Sequence, residues 1–245
     1  MSSGAARETL LVRYGNFLFK YRNALFPIVL LTLFFTTRPS VGPNDWVVDL
    51  AGVLVSLSGQ ILRIAVIGYK YIIRGGKNAR IYAEDLVTTG FFAHCRNPLY
   101  AGNILVLLGL FIIHNNFWVY VIGVPFFLTG YAAIVAAEEA FLLGKFGDAY
   151  RAYMDDVPRW VPRLSGFSES VAGMTFNWRR VVLKEYGSTF AWTATAIVLM
   201  ARQTLLYHDY QDRELYLNAL AGVLVLLGVA YGTARYLKLT RKLRS

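Results

Sequence analysis

Arg96 and the adjacent acids Glu138 and Glu139 are the side chains of this sequence best placed to hold a ligand that carries both signs of charge. Arg96 is followed by Asn97 and Pro98, then by Leu99-Tyr100-Ala101-Gly102 and an apolar run. Asparagine is a good N-cap and proline suits the first helical position, so the spacing predicts a helix beginning at Pro98. A helix N-terminus beside a guanidinium is a ready anion site. The same residues would also serve as a capped helix whose arginine faces lipid headgroups. Glu138 and Glu139 interrupt a long apolar run, and Phe146-Gly147, Tyr150, Tyr153 and Val157-Pro158-Arg159-Trp160-Val161-Pro162 follow them. Carboxylates on an apolar helix are expensive and usually face a polar cavity, the alternative being two interfacial acids in water.

These residues need elements that bring them together. Six apolar segments are present: about Asn23 to Thr37 (with Phe17 to Phe19 attached and Lys20 and Arg22 snorkelling), Trp46 to Ile73, Leu99 to Ile113, Phe117 to about Leu143, Ser188 to Tyr207 and Leu215 to Leu239. The third and fourth are joined only by His114-Asn115-Asn116, a tight polar turn, and so form an antiparallel pair. Glu138 lies about 32 Å along the fourth segment at 1.5 Å per residue. The pair therefore returns Arg96 and Glu139 to one membrane face.

Composition fixes the solvent. The AVILMFWYC set makes up 56% of the 245 residues, and with the 21 glycines it reaches about 65%, against roughly 45–50% in ordinary globular domains. Charged residues supply only 16%. A bilayer can cover that much apolar surface and a soluble fold cannot. Disorder and disulfide scaffolds are excluded by the same numbers, and the single Cys95 permits no internal disulfide. The first nine residues lack the pattern of a removable signal peptide.

The net charge of +10 comes from 25 Lys and Arg against 15 Asp and Glu. The basic residues lie between apolar runs, which points to anionic lipid headgroups and not to nucleic acid. Assigned alternately to the two faces, 21 fall in the N-terminal arm, the second-to-third connection, the 144–187 stretch and the C-terminal tail, and three (Arg38, Arg202, Arg213) fall opposite. The positive-inside rule then predicts an all-α polytopic membrane protein of about six spans with both termini cytoplasmic.

At this level of detail the residues resemble the integral-membrane isoprenylcysteine carboxyl methyltransferases and phospholipid N-methyltransferases. Leu86-Val87-Thr88-Thr89-Gly90-Phe91-Phe92 and Arg96-Asn97-Pro98-Leu99-Tyr100-Ala101-Gly102 match the first half of that family's pattern. Glu138-Glu139, Leu142, Phe146-Gly147, Tyr150, Tyr153, Val157-Pro158-Arg159 and Pro162 match the second, and Gly59-Gln60-Ile61-Leu62-Arg63-Ile64-Ala65 is similar upstream. The resemblance covers about Leu50 to Arg163. It implies methyl transfer from S-adenosyl-L-methionine, bound on the cytoplasmic side, to a membrane-resident lipid or lipid-linked acceptor. It further implies that Gly90, Arg96, Asn97, Pro98, Tyr100, Gly102, Glu138 and Glu139 bind the cofactor, and that Glu138, Glu139, Arg159 and Arg63 take part in catalysis. Gly90 and Gly102 would admit close backbone approach to the ligand, and Tyr100 would face the sulfonium.

Two departures shape the expected acceptor. The family's usual histidine is Asn97 here. Carboxyl-methylating members place an arginine one turn before a motif glutamate, where this sequence has Ile134 and Val135. That favours an amine-headgroup lipid over a prenylcysteine carboxylate. The alternatives are an isoprenylcysteine carboxyl O-methyltransferase, a sterol-reductase-like enzyme using a reduced nicotinamide cofactor (similar in the Arg-x-Pro-x-Tyr region), and a non-catalytic scaffold.

Arg63, inside the second span, is either functional or packed against the 144–187 stretch. Gly228 and Gly232 form a small-xxx-small pattern that suits helix packing, so the last two spans are candidates for oligomerisation. The scattered His94, His114 and His208 form no metal-ligand set with the lone cysteine. The organisation expected is a methyltransferase core at 1–165, a cytoplasmic connector at 166–187 and a two-span hairpin with a basic tail at 188–245. The location expected is a bacterial inner membrane or the endoplasmic reticulum, with the active site facing the cytoplasm.

Overall fold

A computed structural model describes residues 9–37, 40–41, 46–69, 74–77, 80–208 and 210–240, with the side chains of 74–77 and 80 left out. Of the basic residues counted above, Arg7, Arg38, Lys70, Arg241, Lys242 and Arg244 lie outside the described residues.

The helices follow the apolar runs but extend past several of them. Helix α1 spans Leu10–Phe34, starting well before Asn23 because Thr9 caps it, its hydroxyl accepting the Val12 N–H at 3.3 Å. Helix α2 is Trp46–Tyr69 and α3 is Pro98–His114. The fourth run opens with a π-helical turn at Val119–Gly123 and continues as α4, Val124–Phe146. The 144–187 stretch holds two short helices, α5 at Asp148–Asp156 and α6 at Phe167–Val171. Helix α7 is Trp178–Tyr207, begun by Asn177, whose side chain accepts the Arg180 N–H, and α8 is Tyr210–Leu239. One feature departs from an all-α chain: antiparallel strands β1, Arg74–Lys77, and β2, Arg80–Ala83, pair from Arg74↔Ala83 to Lys77↔Arg80.

Among the described residues, four helical stretches are long and apolar enough to cross a membrane: α1, α2, Val119–Phe146 and α8. Helix α3 has 17 residues. Helix α7 carries Arg179, Arg180, Lys184 and Glu185 in its first third, which dilutes its hydropathy.

Helices α2 and α3 pack closely along their lengths because small residues face each other. A methyl group at Gly59 would sit 2.5 Å from the Gly102 carbonyl oxygen, so neither position admits a side chain. Helix α1 packs on α4 around Leu18, Phe19, Phe26, Phe127, Tyr131 and Ile134. Helix α7 lies on α2 and α3, burying Trp192, Ala196 and Leu199 against Leu110 and Ile113. Helix α8 packs along α7, with Tyr231 against Phe190 and Tyr186, and buries none of its own residues. Nothing lies within 4 Å of a methyl placed at Gly228 or Gly232, so among the described residues the small-residue pattern of α8 does no packing; glycines that do include Gly59 and Gly102 between α2 and α3 and Gly15 of α1 against Ala133 of α4.

The turn between α3 and α4 is sharp because Asn115 takes the left-handed conformation (φ 47°), which asparagine tolerates better than most residues. His114, Asn115 and Asn116 are buried there; Val41 N–H bonds the Asn115 carbonyl, and Ser40 forms a bridge with Asn116.

Candidate active site

The two motif halves meet at the end of the bundle opposite that turn, joined through backbone groups. Arg96 N–H donates to the Pro158 carbonyl at 2.9 Å and Arg163 N–H to the His94 carbonyl at 3.0 Å. Cys95 Sγ lies 3.3 Å from the Trp160 carbonyl oxygen, and Tyr153 hydroxyl donates to the Phe92 carbonyl at 2.6 Å. This seam holds Glu139 in a buried ion cluster. Arg159 pairs with both Glu139 oxygens, and Arg96 Nε lies 3.5 Å from Oε1. Asn97 stands at the N-cap of α3 but makes no capping bond; its amide donates to Glu139 Oε1 at 3.4 Å and to the Arg159 carbonyl at 3.3 Å. With Asn97 so engaged and Pro98 lacking an N–H, the open amides of the first turn of α3 fall to Leu99 and Tyr100.

A cavity of about 750 Å³ lies on the far side of this cluster. Its wall is polar at one end, with Arg22, Arg63, Arg96, Asn97, Asn103 and Glu138, and aromatic elsewhere, with Phe26, Phe92, Tyr100 and Tyr131. Tyr100 hydroxyl donates to Glu138 Oε1 at 2.5 Å and accepts from Arg22 Nη1 at 3.2 Å. Arg22, expected to snorkel, instead lies 4.0 Å over the Phe19 ring, and that bond to Tyr100 turns it into the bundle. Pro27 has no N–H for the carbonyl of Asn23 one turn earlier, and both line the cavity, so α1 contributes polar backbone as well.

The acids of the pair thus face different ways. Glu138 lines the cavity; Glu139 and Arg159 stand behind its wall, where they fix Arg96 and Asn97. Pro98 and Tyr100 line the cavity, while Gly90 and Gly102 do not. Gly102 meets Gly59 and the Arg63 side chain, so its missing Cβ serves the α2–α3 contact. Gly90 has φ 65°, and a methyl there would press on Met174 Cε at 2.9 Å, so its bareness serves a turn under the connector.

Arg63 both lines the cavity and packs against the 144–187 stretch. Glu185 of α7 takes it in two bonds, Nη2 to Oε1 at 2.6 Å and Nε to Oε2 at 2.9 Å, while Nη1 bonds Asn103. Gln60 donates to Glu185 Oε2 at 3.1 Å and accepts the Trp192 indole N–H at 2.9 Å. Sequence reasoning missed Glu185, Gln60, Asn103 and Tyr131. The available signal was polar type inside apolar helices: Gln60 and Asn103 each interrupt a hydrophobic run.

Burial pushes the Cys95 thiol pKa up, against the opposing effects of the Asn97 N–H and the Arg96 charge. Only thiolate is nucleophilic, so a raised pKa and a closed seam both slow alkylation. Iodoacetamide at pH 7.5 is expected to modify Cys95 at least roughly tenfold more slowly in the folded protein than after denaturation. Equal rates by mass spectrometry would show that the seam opens freely.

The family model for phospholipid methyltransferases matches residues 49–149, from α2 into α5. The chain is 30% identical over 154 residues to the cobalt-zinc-cadmium resistance protein CzcN of Cupriavidus metallidurans, covering 61% of this chain and 68% of that protein. It belongs to the phospholipid methyltransferase family. It is also similar to the nickel-cobalt-cadmium resistance protein NccN of Alcaligenes xylosoxydans xylosoxydans, 29% identical over 154 residues, or 56% of this chain and 71% of that one. The protein-S-isoprenylcysteine O-methyltransferase of Schizosaccharomyces pombe is 32% identical over 77 residues, 31% of this chain and 33% of its own. No solved structure matches. The family match takes in Arg63, Arg96, Glu138 and Glu139, and leaves α1, α7 and α8 outside.

Proposed function

We propose that the protein transfers a methyl group from S-adenosyl-L-methionine to an amine-headed lipid of the membrane. The observation that carries this is the cavity's mixed charge beside its aromatic wall. The cofactor bears a carboxylate, an ammonium and a sulfonium. Arg96 and the open amides of α3 suit the carboxylate; Glu138 suits the ammonium or the ribose; Tyr100 and Tyr131 suit the sulfonium. A volume of about 750 Å³ falls within the range of small-molecule sites, about 300–1,000 Å³.

The cofactor, once bound, supplies an electrophilic methyl carbon. The chain's own residues orient the reactants and keep water out, which is most of what a direct displacement needs. Glu139 and Arg159 act as positioning residues, setting Arg96 and Asn97 from behind the wall. Glu138, at the polar end of the cavity, takes the proton that an amine acceptor must lose. Ile134 and Val135, one turn before the acids, are fully buried in the core and supply no carboxylate clamp.

The reading includes a topology. Helices α3 and α7, added to the four stretches apolar enough to span, complete six crossings, with both termini and the cavity's polar end on the cytoplasmic side. The 21-to-3 distribution of basic residues supports it. Two relatives are named for metal resistance, yet among the described residues no three His, Cys, Asp or Glu side chains gather as ligands. The reading therefore rests on the mixed-charge cavity.

The test incubates purified protein with labelled S-adenosyl-L-methionine, an amine-headgroup lipid and a farnesylated cysteine analogue side by side. The expected product is the methylated amine. Glu138→Gln is expected to weaken cofactor binding at least roughly tenfold, the loss of a charge-assisted contact, with no change in melting temperature. Ester formed on the prenylcysteine alone would overturn the acceptor, and unchanged affinity in Glu138→Gln would overturn the cofactor's placement.

A further inference from the structure

A second chamber, about 530 Å³ and almost wholly apolar, adjoins the polar cavity. The two share Pro27 of α1 and Ser188 and Ala191 of α7. Beyond that junction the chamber runs between α1 (Leu30, Leu31, Phe34), α3 (Val106, Leu110) and α7 (Thr195, Val198).

Its existence follows from how α7 is anchored. One face of α7 carries Glu185, Trp192, Ala196, Leu199 and Gln203 at helical spacing, all buried. The ion pair to Arg63 and the indole bond to Gln60 hold that face on α2 and α3. The next stripe, Ser188, Ala191, Thr195 and Val198, is made of small residues and stays exposed, turned towards α1 across the gap. Helix α1 packs on α4 instead. The contacts that join α1 and α7 sit at the far end, where Arg202 donates to the Thr36 carbonyl at 2.9 Å, Tyr207 hydroxyl donates to the Thr37 carbonyl at 2.6 Å, and Arg202 lies over Phe34. The chamber thus ends at His114 and Val119, towards these bonds, and meets the wall of the polar cavity at Pro27, Ser188 and Ala191.

We propose that this chamber binds the hydrocarbon tail of the methyl acceptor, admitted laterally between α1 and α7. The inference rests on the methyl-transfer reading of the polar cavity. At about 30 Å³ per water-sized group, 530 Å³ holds on the order of 18 carbons, which is one chain and not two. The acceptor is therefore a lipid that places a single tail here. Bilayer and chamber are about equally apolar, so moving a tail between them gains little hydrophobic energy. The chamber acts by shape: it selects one chain of limited length and sets the head beside Glu138 and Tyr100. Specificity for the acceptor then resides partly in α7, a helix outside the family match.

The test uses the full chain in lipid nanodiscs and a sixteen-carbon primary amine with a photoreactive diazirine at its tail end. After irradiation, label is expected on the chamber residues Leu31, Phe34, Leu110 and Val198, well above that on Val225, Leu226 and Val229 of α8. Thr195→Trp, or Val198→Phe should the first variant not fold, is expected to reduce chamber labelling at least fivefold. Neither residue lines the polar cavity. Label spread as on α8, or unchanged in the folded variants, would overturn the proposal. The labelling requires no methyl transfer, so failure of the unmodified protein to bind S-adenosylhomocysteine would refute the methyl-transfer reading separately.

Discussion

Glu139→Gln is expected to cost about 3 kcal/mol of stability, the lower end of what removing one partner of a buried ion pair costs. The lower end applies because Arg159 is 45% exposed and can turn to water, whereas Arg96 is 10% exposed and cannot. In a chain of this size that corresponds to a melting temperature about 6–12 °C lower in detergent. The same substitution leaves the Asn97 amide a neutral amide oxygen in place of a carboxylate, so its charge-assisted bond weakens and the start of α3 loosens together with the seam. Arg159→Gln, which leaves the acid a partner in Arg96, should cost distinctly less. Equal losses in the two variants, or none in Glu139→Gln, would show that the cluster does not hold the motif halves together.

Glu185→Ala is expected to be comparably damaging, by about 3–5 kcal/mol. It strands Arg63, whose side chain is 14% exposed, and takes one acceptor from Gln60. The two bonds that Arg63 makes to this carboxylate tie α2 to α7, so their loss frees the helix that walls both the cavity and the chamber. The paired replacement Arg63→Met with Glu185→Leu removes both charges and fills the space with apolar groups. It should recover most of the stability in thermal unfolding, because well-packed apolar substitutes for a buried ion pair are often neutral or better. It should not recover cofactor or acceptor binding if Arg63 contributes its charge to the cavity. A double variant as unstable as Glu185→Ala would show that the site requires these polar groups for packing itself.

The antiparallel α3–α4 pair, the polar turn at His114 and the convergence of Arg96 with Glu139 were legible in the sequence, because they depend on apolar run length and on one short connection. Helix ends were less so: α1 and α7 begin where Thr9 and Asn177 cap them, 13 and 10 residues before the apolar runs rise. The division of labour between Glu138 and Glu139 was not legible at all. Adjacent helix positions differ by about 100° in direction, and which one meets the cavity depends on the rotation of α4 against α1 and α3. Asn97 was read as a cap by its position, but a charged acceptor offered a stronger bond than the helix amides did. Arg63 packs against Glu185 of the 144–187 stretch, one of its two alternatives, and also lines the cavity. Glu185 escaped notice because its partner is 122 residues away and nothing local distinguishes it from the charges around it.

The turn at Asn115 and the seam at Pro98 lie at opposite ends of one rigid rod. Helix α3 is 17 residues long, about 25 Å from end to end. A tilt of about two degrees at the turn therefore swings the site end by ~1 Å, a displacement large enough to spoil the alignment of two reacting groups. Asn115 and Asn116, clamped by Ser40 and Val41, are the fulcrum of that lever. The accuracy with which this site aims is thus set at the end of α3 farthest from it.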